Sequence, residues 1–293
     1  MELLKDPAVL FIPGFLTLIF IELYLDWRDK LHLHDPKDSL ASIMMGIGSL
    51  AIGAGVKTAA FLLYLWIYQY RIFDIPFTWW ACILVFLGDD FTFYIHHSLS
   101  HQIRLLWAAH VNHHSSQTYN LAVALRQSWT EILYKYSWWC WMPLAGFHPI
   151  WVMTMMQLSL IYQYWIHTQT INRLGFMEKF MNTPSHHRVH HASNIRYLDK
   201  NHAGILIIWD KLFGTFQEER HDDPVKYGLT KNINSYNLLK IAFHEFEDIA
   251  KDLKRPISFT DKLKYMFMPP GWSHDGSTQV ATKLQKNLPD GKS

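Results

Sequence analysis

Residues 89–114 read DDFTFYIHHSLSHQIRLLWAAHVNHH and hold six of the chain's 18 histidines. His97 and His101 are four apart, so on a helix they point the same way, one turn apart. His110, His113 and His114 repeat that relation at i, i+3 and i+4. Downstream, residues 185–191 read SHHRVHH, and His187, His190 and His191 carry the same spacing. Neutral imidazole is the commonest metal ligand among side chains, and one tetrahedral zinc takes about four ligands. Eight histidines in three helical clusters exceed that number and predict a two-metal site. A solvated face or a loose His-rich tail is the plainer alternative, but tails are polar and low in complexity. Here the histidines alternate with Phe93, Tyr94, Ile95, Leu105, Leu106 and Trp107.

Outward from this stretch, the composition indicates a membrane protein. Of 293 residues 49% are hydrophobic and 15% aromatic, and the charged share is 18%, below the roughly 25% of soluble domains. A net charge of +2 excludes nucleic-acid binding by bulk electrostatics. Cys82 and Cys140 both lie in apolar runs, which gives neither a disulfide framework nor a thiolate metal site. Met1–Asp6 lacks the features of a cleaved signal peptide. Apolar runs of spanning length cover 7–25, 38–70 and 77–97, the last ending in the first histidines. Lys57 lies inside the second run, where snorkelling or a watery pocket is the simplest accommodation.

A fourth apolar region, 129–146 and 150–167 around the turn Phe147-His148-Pro149, reads as a helical hairpin, spanning or re-entrant. Its returning arm places Gln163 and His167 on one face, at the depth of His97. His167 is therefore a ninth candidate ligand, against the alternative of an interfacial histidine in an aromatic belt. Asp90 shares a face with Tyr94, His97 and His101 and is expected to accept an imidazole N–H or to line a polar path. Arg28, Lys30 and Lys37 share the histidine side with Arg104, Arg126, Arg173, Lys179 and Arg188, against Arg71 alone on the opposite short loop. The positive-inside rule makes the histidine side cytoplasmic.

The expected fold is all-α: an integral membrane, multi-pass helical bundle of about four to five spans or re-entrant helices, with a cytosolic helical His-rich di-metal domain. Membrane spans are assigned to 1–80, the catalytic region to 81–220, a cytosolic helical region to 221–275 and a disordered tail to 276–293. Residues 235–253 read as an amphipathic helix packing on the metal domain. Residues 182–185 read as a turn with capping residues.

His97-x-x-x-His101, His110-x-x-His113-His114 and His187-x-x-His190-His191 resemble the three histidine boxes of the fatty acid hydroxylase/sterol desaturase superfamily of membrane di-iron enzymes. The runs WAAHVNHHSSQTYNLAVALRQS (107–128), NTPSHHRVHHASN (182–194) and DKNHAGILIIWDKLFGTF (199–216) are similar to alkylglycerol monooxygenases. The resemblance implies two iron ions held by those eight histidines at the cytosolic mouth of a helical bundle. His167 resembles the further helix-borne ligand of related desaturases, and His186 and His202 stay outside the ligand set. The implied activity is O2-dependent hydroxylation of a lipid C–H bond, with the lipid substrate in the bilayer. No glutamate base of the zinc-hydrolase HExxH type accompanies the boxes. Nearby carboxylates are needed to balance the metal charge, and Asp90, Asp199 and Asp210 are the candidates.

Alkylglycerol monooxygenases take electrons from tetrahydrobiopterin and carry glutamate after the second histidine of the first box, where this chain has Gln102. That difference predicts weak use of the pterin and an electron-donor protein of the cytochrome b5 or ferredoxin type. The remaining alternatives are a sterol or fatty acyl desaturase or hydroxylase and, from another class, a metal transporter or sensor. A transporter would distribute its ligands through the membrane thickness rather than gather them at one face.

Overall fold

The computed structural model describes residues 7–288. The signal-peptide reading of Met1–Asp6 and the last residues of the tail, 289–293, lie outside them. The described residues are helical, with two isolated antiparallel bridges, Met181 to Leu206 and Ala192 to Tyr227, in place of strands. After a turn at Pro7–Leu10, α1 runs Ile12–Asp29 and closes on Lys30, which adopts the left-handed conformation at φ 53°.

Helix α2, Pro36–Tyr68, begins where Asp35 accepts hydrogen bonds from the Lys37 and Asp38 amides at 2.7 and 3.1 Å. Its 33 residues correspond to about 50 Å at 1.5 Å per residue. Among the described residues it is the one helix long and apolar enough to cross a membrane by length and composition. Helix α1 and the first half of α3 also turn large apolar side chains outward, among them Leu16, Phe20, Trp79 and Ile83.

Helix α3, Trp79–Gln102, stops at Ile103, whose extended backbone makes a corner, and α4, Arg104–His114, starts at once. The corner is braced from the C-terminal region. Arg104 donates to Glu245 and Asp252, both at 2.7 Å, and its amide donates to the Met268 carbonyl at 3.2 Å. Glu245 and Asp252 belong to α8, Leu238–Leu253, whose Ile241 and Ala242 pack with Ala41 and Met45 of α2. This amphipathic helix therefore packs on the helix carrying the second histidine box.

The expected hairpin is one continuous helix on its returning arm only. That arm is α5, Pro149–Trp165, while 132–145 is broken into Ile132–Lys135, a 3₁₀ turn at Tyr136–Trp139 and Trp141–Ala145. The indole N–H of Trp139 donates to Asp89 at 2.7 Å, and that of Trp141 donates to Thr92 at 2.9 Å. Residues two apart on one continuous helix point about 200° apart. Both indoles nevertheless reach α3, one from the 3₁₀ turn and the other from the short helix that follows it. Trp139 and Met142 join Tyr64, Val85, Val152, Met153 and Met156 in the main apolar core, which ties α2, α3 and α5 together. Gly146, at φ 120°, closes this segment where a Cβ would lie 2.1 Å from the Phe73 carbonyl oxygen.

The remaining helices are α6, Pro184–His190; α7, Ile208–Phe213; α9, Phe259–Phe267; and α10, Ala281–Lys286. Helix α6 starts at Pro184, and the Thr183 hydroxyl donates to Glu178 at 3.2 Å instead of capping it. Within the tail expected to be disordered, Ala281–Lys286 forms α10. Gln285 fastens it by donating to the Ile195 and Leu198 carbonyls at 3.1 and 2.8 Å.

Candidate metal centre

The nine candidate histidines come together in two buried sets. His97, His101, His110, His114 and His190 form the first, and His113, His167, His187 and His191 the second; within each, one ring nitrogen per residue lies within 4.8 Å of the others. Helical spacing builds the sets but does not partition them. On α4, His110 and His114 are one turn apart and enter the first set, while His113 turns into the second. On α6 and the residue that closes it, His187 and His191 enter the second set and His190 the first. His101 comes from the last turn of α3, and His167 from the turn after α5.

Nε2 atoms converge within each set. His97 and His110 approach to 3.0 Å and His114 and His110 to 3.2 Å. His167 lies 3.2 Å from His113 and 3.0 Å from His187. Several Nδ1 atoms face oxygen acceptors, whereas that of His187 is buried without a partner. Those of His97, His167 and His190 reach the carbonyls of His202, Gln163 and Lys200 at 2.7, 2.7 and 3.0 Å. The Nδ1 of His113 reaches the Arg126 carbonyl at 3.3 Å. An acceptor at Nδ1 fixes the proton there and leaves Nε2 with its lone pair free, which is how metal-ligating histidines are oriented.

Burial, reinforced by neighbouring imidazoles, holds His113, His114, His187, His190 and His191 well below the ordinary histidine value, so they are neutral at pH 7. The Nε2 atoms of His101, His190 and His191 are buried without a hydrogen-bond partner. Buried polar atoms are rarely left so, and converging unpartnered lone pairs are what a cation satisfies. The donor set fits transition metals, since imidazole suits iron, zinc, copper and nickel alike.

One carboxylate was missed by sequence reasoning. Glu131 Oε2 lies 2.9 Å from His110 Nδ1, and Oε1 lies 3.8 Å from His96 Nε2. The available signal was a lone acid inside the apolar run 129–146, a type of residue that marks functional sites in membrane segments. Asp199 is the one expected carboxylate that faces a set, 3.6 Å from His101 Nδ1.

The other two carboxylates position backbone instead. Asp90 accepts from the Ile205 and Leu206 amides at 2.7 and 3.0 Å and from the Trp209 indole at 2.9 Å, not from an imidazole as expected. Asp210 accepts from the His202 and Ala203 amides at 2.8 and 2.9 Å. Together they clamp the loop whose His202 carbonyl accepts the His97 N–H. Gly204 permits that clamp: a Cβ there would sit 2.9 Å from Phe93 and 3.1 Å from the Asp90 carboxylate.

Gln102 is exposed and donates to Ser98 Oγ at 2.8 Å, turned away from both sets. His186 points to the Met181 carbonyl at 3.2 Å, outside the cluster. His202 does not stand alone as its isolation in the chain suggests. Its fully buried ring is 4.9 Å from that of His101, with both nitrogens unpartnered.

Arg126, whose carbonyl faces His113, is itself locked in place. Its buried guanidinium pairs with Asp38 at 2.5 Å and donates to Ser42 and Ser115, both at 3.0 Å.

Residues 82–215 match the family model described as fatty acid hydroxylase. The chain is 42% identical to the alkylglycerol monooxygenase of Homo sapiens over 288 residues, covering 95% of this chain and 62% of that protein. It is 36% identical to the alkylglycerol monooxygenase of Caenorhabditis elegans over 272 residues, covering 88% and 53%. An ornithine lipid hydroxylase of Rhizobium tropici is 27% identical over 176 residues, covering 57% and 52%. The chain thus spans between half and two thirds of the length of these curated relatives. No solved structure matches.

Proposed function

We propose that this chain, whose residues 82–215 match the fatty acid hydroxylase family model and which is similar to alkylglycerol monooxygenases, is a membrane-bound di-iron lipid monooxygenase. The observation that carries this reading is the division of nine buried histidines into two sets, each with one ring nitrogen per residue within 4.8 Å of the others. His97, His101, His110, His114 and His190 hold one iron; His113, His167, His187 and His191 hold the other. Bound iron supplies activation of O2 for insertion of one oxygen atom into a lipid C–H bond.

The protein's own residues do the rest. The carbonyls of His202, Gln163, Arg126 and Lys200 keep the Nδ1 protons of their histidines in place. Glu131 and Asp199 offset the positive charge that neutral imidazoles leave uncompensated. Conversion of R–H and O2 to R–OH and water consumes two electrons and two protons, so a reductant is required. Substitution of Gln102 for the glutamate of the pterin-using relatives supports a protein donor.

The substrate class is an ether lipid of the alkylglycerol type, supported by relatives that align with 88–95% of the chain. The similarity to an ornithine lipid hydroxylase favours, as a second reading, hydroxylation of another polar lipid. A multi-pass arrangement with the histidines on the cytoplasmic side is supported by the basic residues flanking them. Cysteines engineered at Lys30, Gln117 and Asn194 should all label from that side.

The deciding experiment uses full-length protein in nanodiscs. It should hold two irons per chain and consume O2 in step with hydroxylation of a 1-alkylglycerol when reductant is supplied. Two irons with turnover of a different polar lipid would favour the second reading. Full metal loading without O2 consumption on any lipid would refute the monooxygenase.

A further inference from the structure

Two segments outside the metal centre share an apolar surface. Phe176, Met177 and Phe180 belong to the 3₁₀ turn Gly175–Lys179 and the residue after it; Ile208, Leu212 and Phe213 belong to α7. All six are exposed, Phe176 at 71% and Leu212 at 70%. The segments are stapled together, since the Lys211 ammonium donates to the carbonyls of Glu178 and Lys179 at 3.1 and 2.9 Å. Soluble surfaces seldom carry such a concentration of large apolar groups.

The depth of this surface follows from its packing on α3. Phe213 stacks on Tyr94 at 5.4 Å, and Phe91 packs at a tilt against Trp209 at 5.0 Å. Phe91 precedes His97 by six residues, about 9 Å along the helix axis. Nearer its N-terminus, on the same face as Phe91 and Tyr94, α3 exposes Trp79, Trp80, Ile83 and Leu84, the apolar face that a bilayer would cover. The six residues therefore continue that face upward, on the same side of the histidines. Their rim is basic: Lys179 lies over the Phe176 ring at 5.5 Å, and Lys211 lies over Phe216 at 4.7 Å. The intervening Glu178 carboxylate is turned inward, accepting from Ser185 at 2.7 Å and the Leu174 amide at 3.0 Å.

We propose that residues 175–180 and helix α7 form a shoulder that sits in the leaflet on the histidine side, with its occupant the glycerol and upper acyl region of anionic lipid. Apolar faces with lysines at their edge insert about 5–10 Å into that boundary, and Lys179 at the rim meets anionic headgroups. The shoulder rests on the membrane reading of α2 and α3, not on the metal chemistry. It brings the leaflet to within about two turns of α3 from the histidine sets, which is where a lipid substrate must leave the bilayer.

The test uses full-length protein with Cys82→Ser and Cys140→Ser, carrying one environment-sensitive fluorophore at Phe176→Cys or Leu212→Cys. Comparators are Ile83→Cys on α3 and Glu247→Cys on the exposed side of α8. In phosphatidylcholine–phosphatidylglycerol nanodiscs with a nitroxide at acyl carbon five, labels at 176 and 212 should be quenched at least about threefold more than at 247 and approach the value at 83. Quenching equal to that at 247, with free access to aqueous iodide, would overturn the proposal. So would shielding from iodide without nitroxide quenching, the signature of a protein partner. Absence of quenching at 83 as well would overturn the membrane reading, and the shoulder with it.

Discussion

Glu131→Gln tests the architecture of the first histidine set. The substitution keeps side-chain shape and removes the charge from a group 2.9 Å from His110 Nδ1. Carboxylate partners of metal-bound histidines change metal affinity by about 10- to 100-fold when mutated, which is about 1.4–2.8 kcal/mol. Glu131 touches His110 and His96 directly and acts on His113 of the second set through its charge alone. The loss should therefore fall mainly on one metal of the two. Apo-protein titrated anaerobically with Fe2+ against a competing chelator should show one site weakened by that factor and the other much less affected. Glu131→Ala should be more severe, because it leaves the buried His110 N–H without an acceptor at a further cost of about 1–3 kcal/mol. Equal weakening of both sites, or wild-type affinity at both in a folded Glu131→Ala protein, would refute the assignment of Glu131 to the first set.

His190→Ala and His113→Ala remove ligands from different sets, so each should lower iron content and abolish turnover while membrane insertion persists; full iron content in both variants would contradict the ligand assignment. Asp38→Asn strands the buried Arg126 guanidinium and should destabilise the fold by about 3–5 kcal/mol, read as a fall in Tm. For the reductant, wild type should turn over poorly with tetrahydrobiopterin and better with a cytochrome or ferredoxin donor, and Gln102→Glu should raise the pterin-driven rate; strong pterin-driven turnover by wild type would defeat the argument. Burial opposes protonation of His34, but the Glu22 and Asp26 carboxylates outweigh it and raise its pKa above the ordinary histidine value. A raised folded pKa adds stability that is complete below the unfolded value of about 6.5 and is lost as pH rises through the folded value. His34→Gln should therefore lower Tm more at pH 6 than at pH 9.

Much of the centre was legible because its information is local. A helix repeats every 3.6 residues, so spacings of three and four announce a shared face wherever α3, α4 and α6 run. The same logic located His167 one turn beyond Gln163, and the Gln163 carbonyl proves to be its Nδ1 acceptor. The reading failed where side-chain demands overrode periodicity. The arm expected to be one helix is divided into short pieces, from which Trp139 and Trp141 both bond to α3. Asp90 lies on the histidine face of α3, yet spends both oxygens on a loop more than a hundred residues downstream.

By itself the sequence determined which residues are candidate ligands, that helices present them, and that the chain has the apolar character of a membrane protein. These follow from side-chain type and from contacts within one or two turns. Tertiary structure alone decided which histidines share a set, that Glu131 faces His110, and that His202 closes against His101. It also decided that Arg126, locked by Asp38, orients His113. The contacts of Glu131, His202 and Arg126 join residues 13 to 101 positions apart. No helical or strand period connects such distances; only packing of α2, α4, α6 and their loops into one core brings the partners within hydrogen-bonding reach.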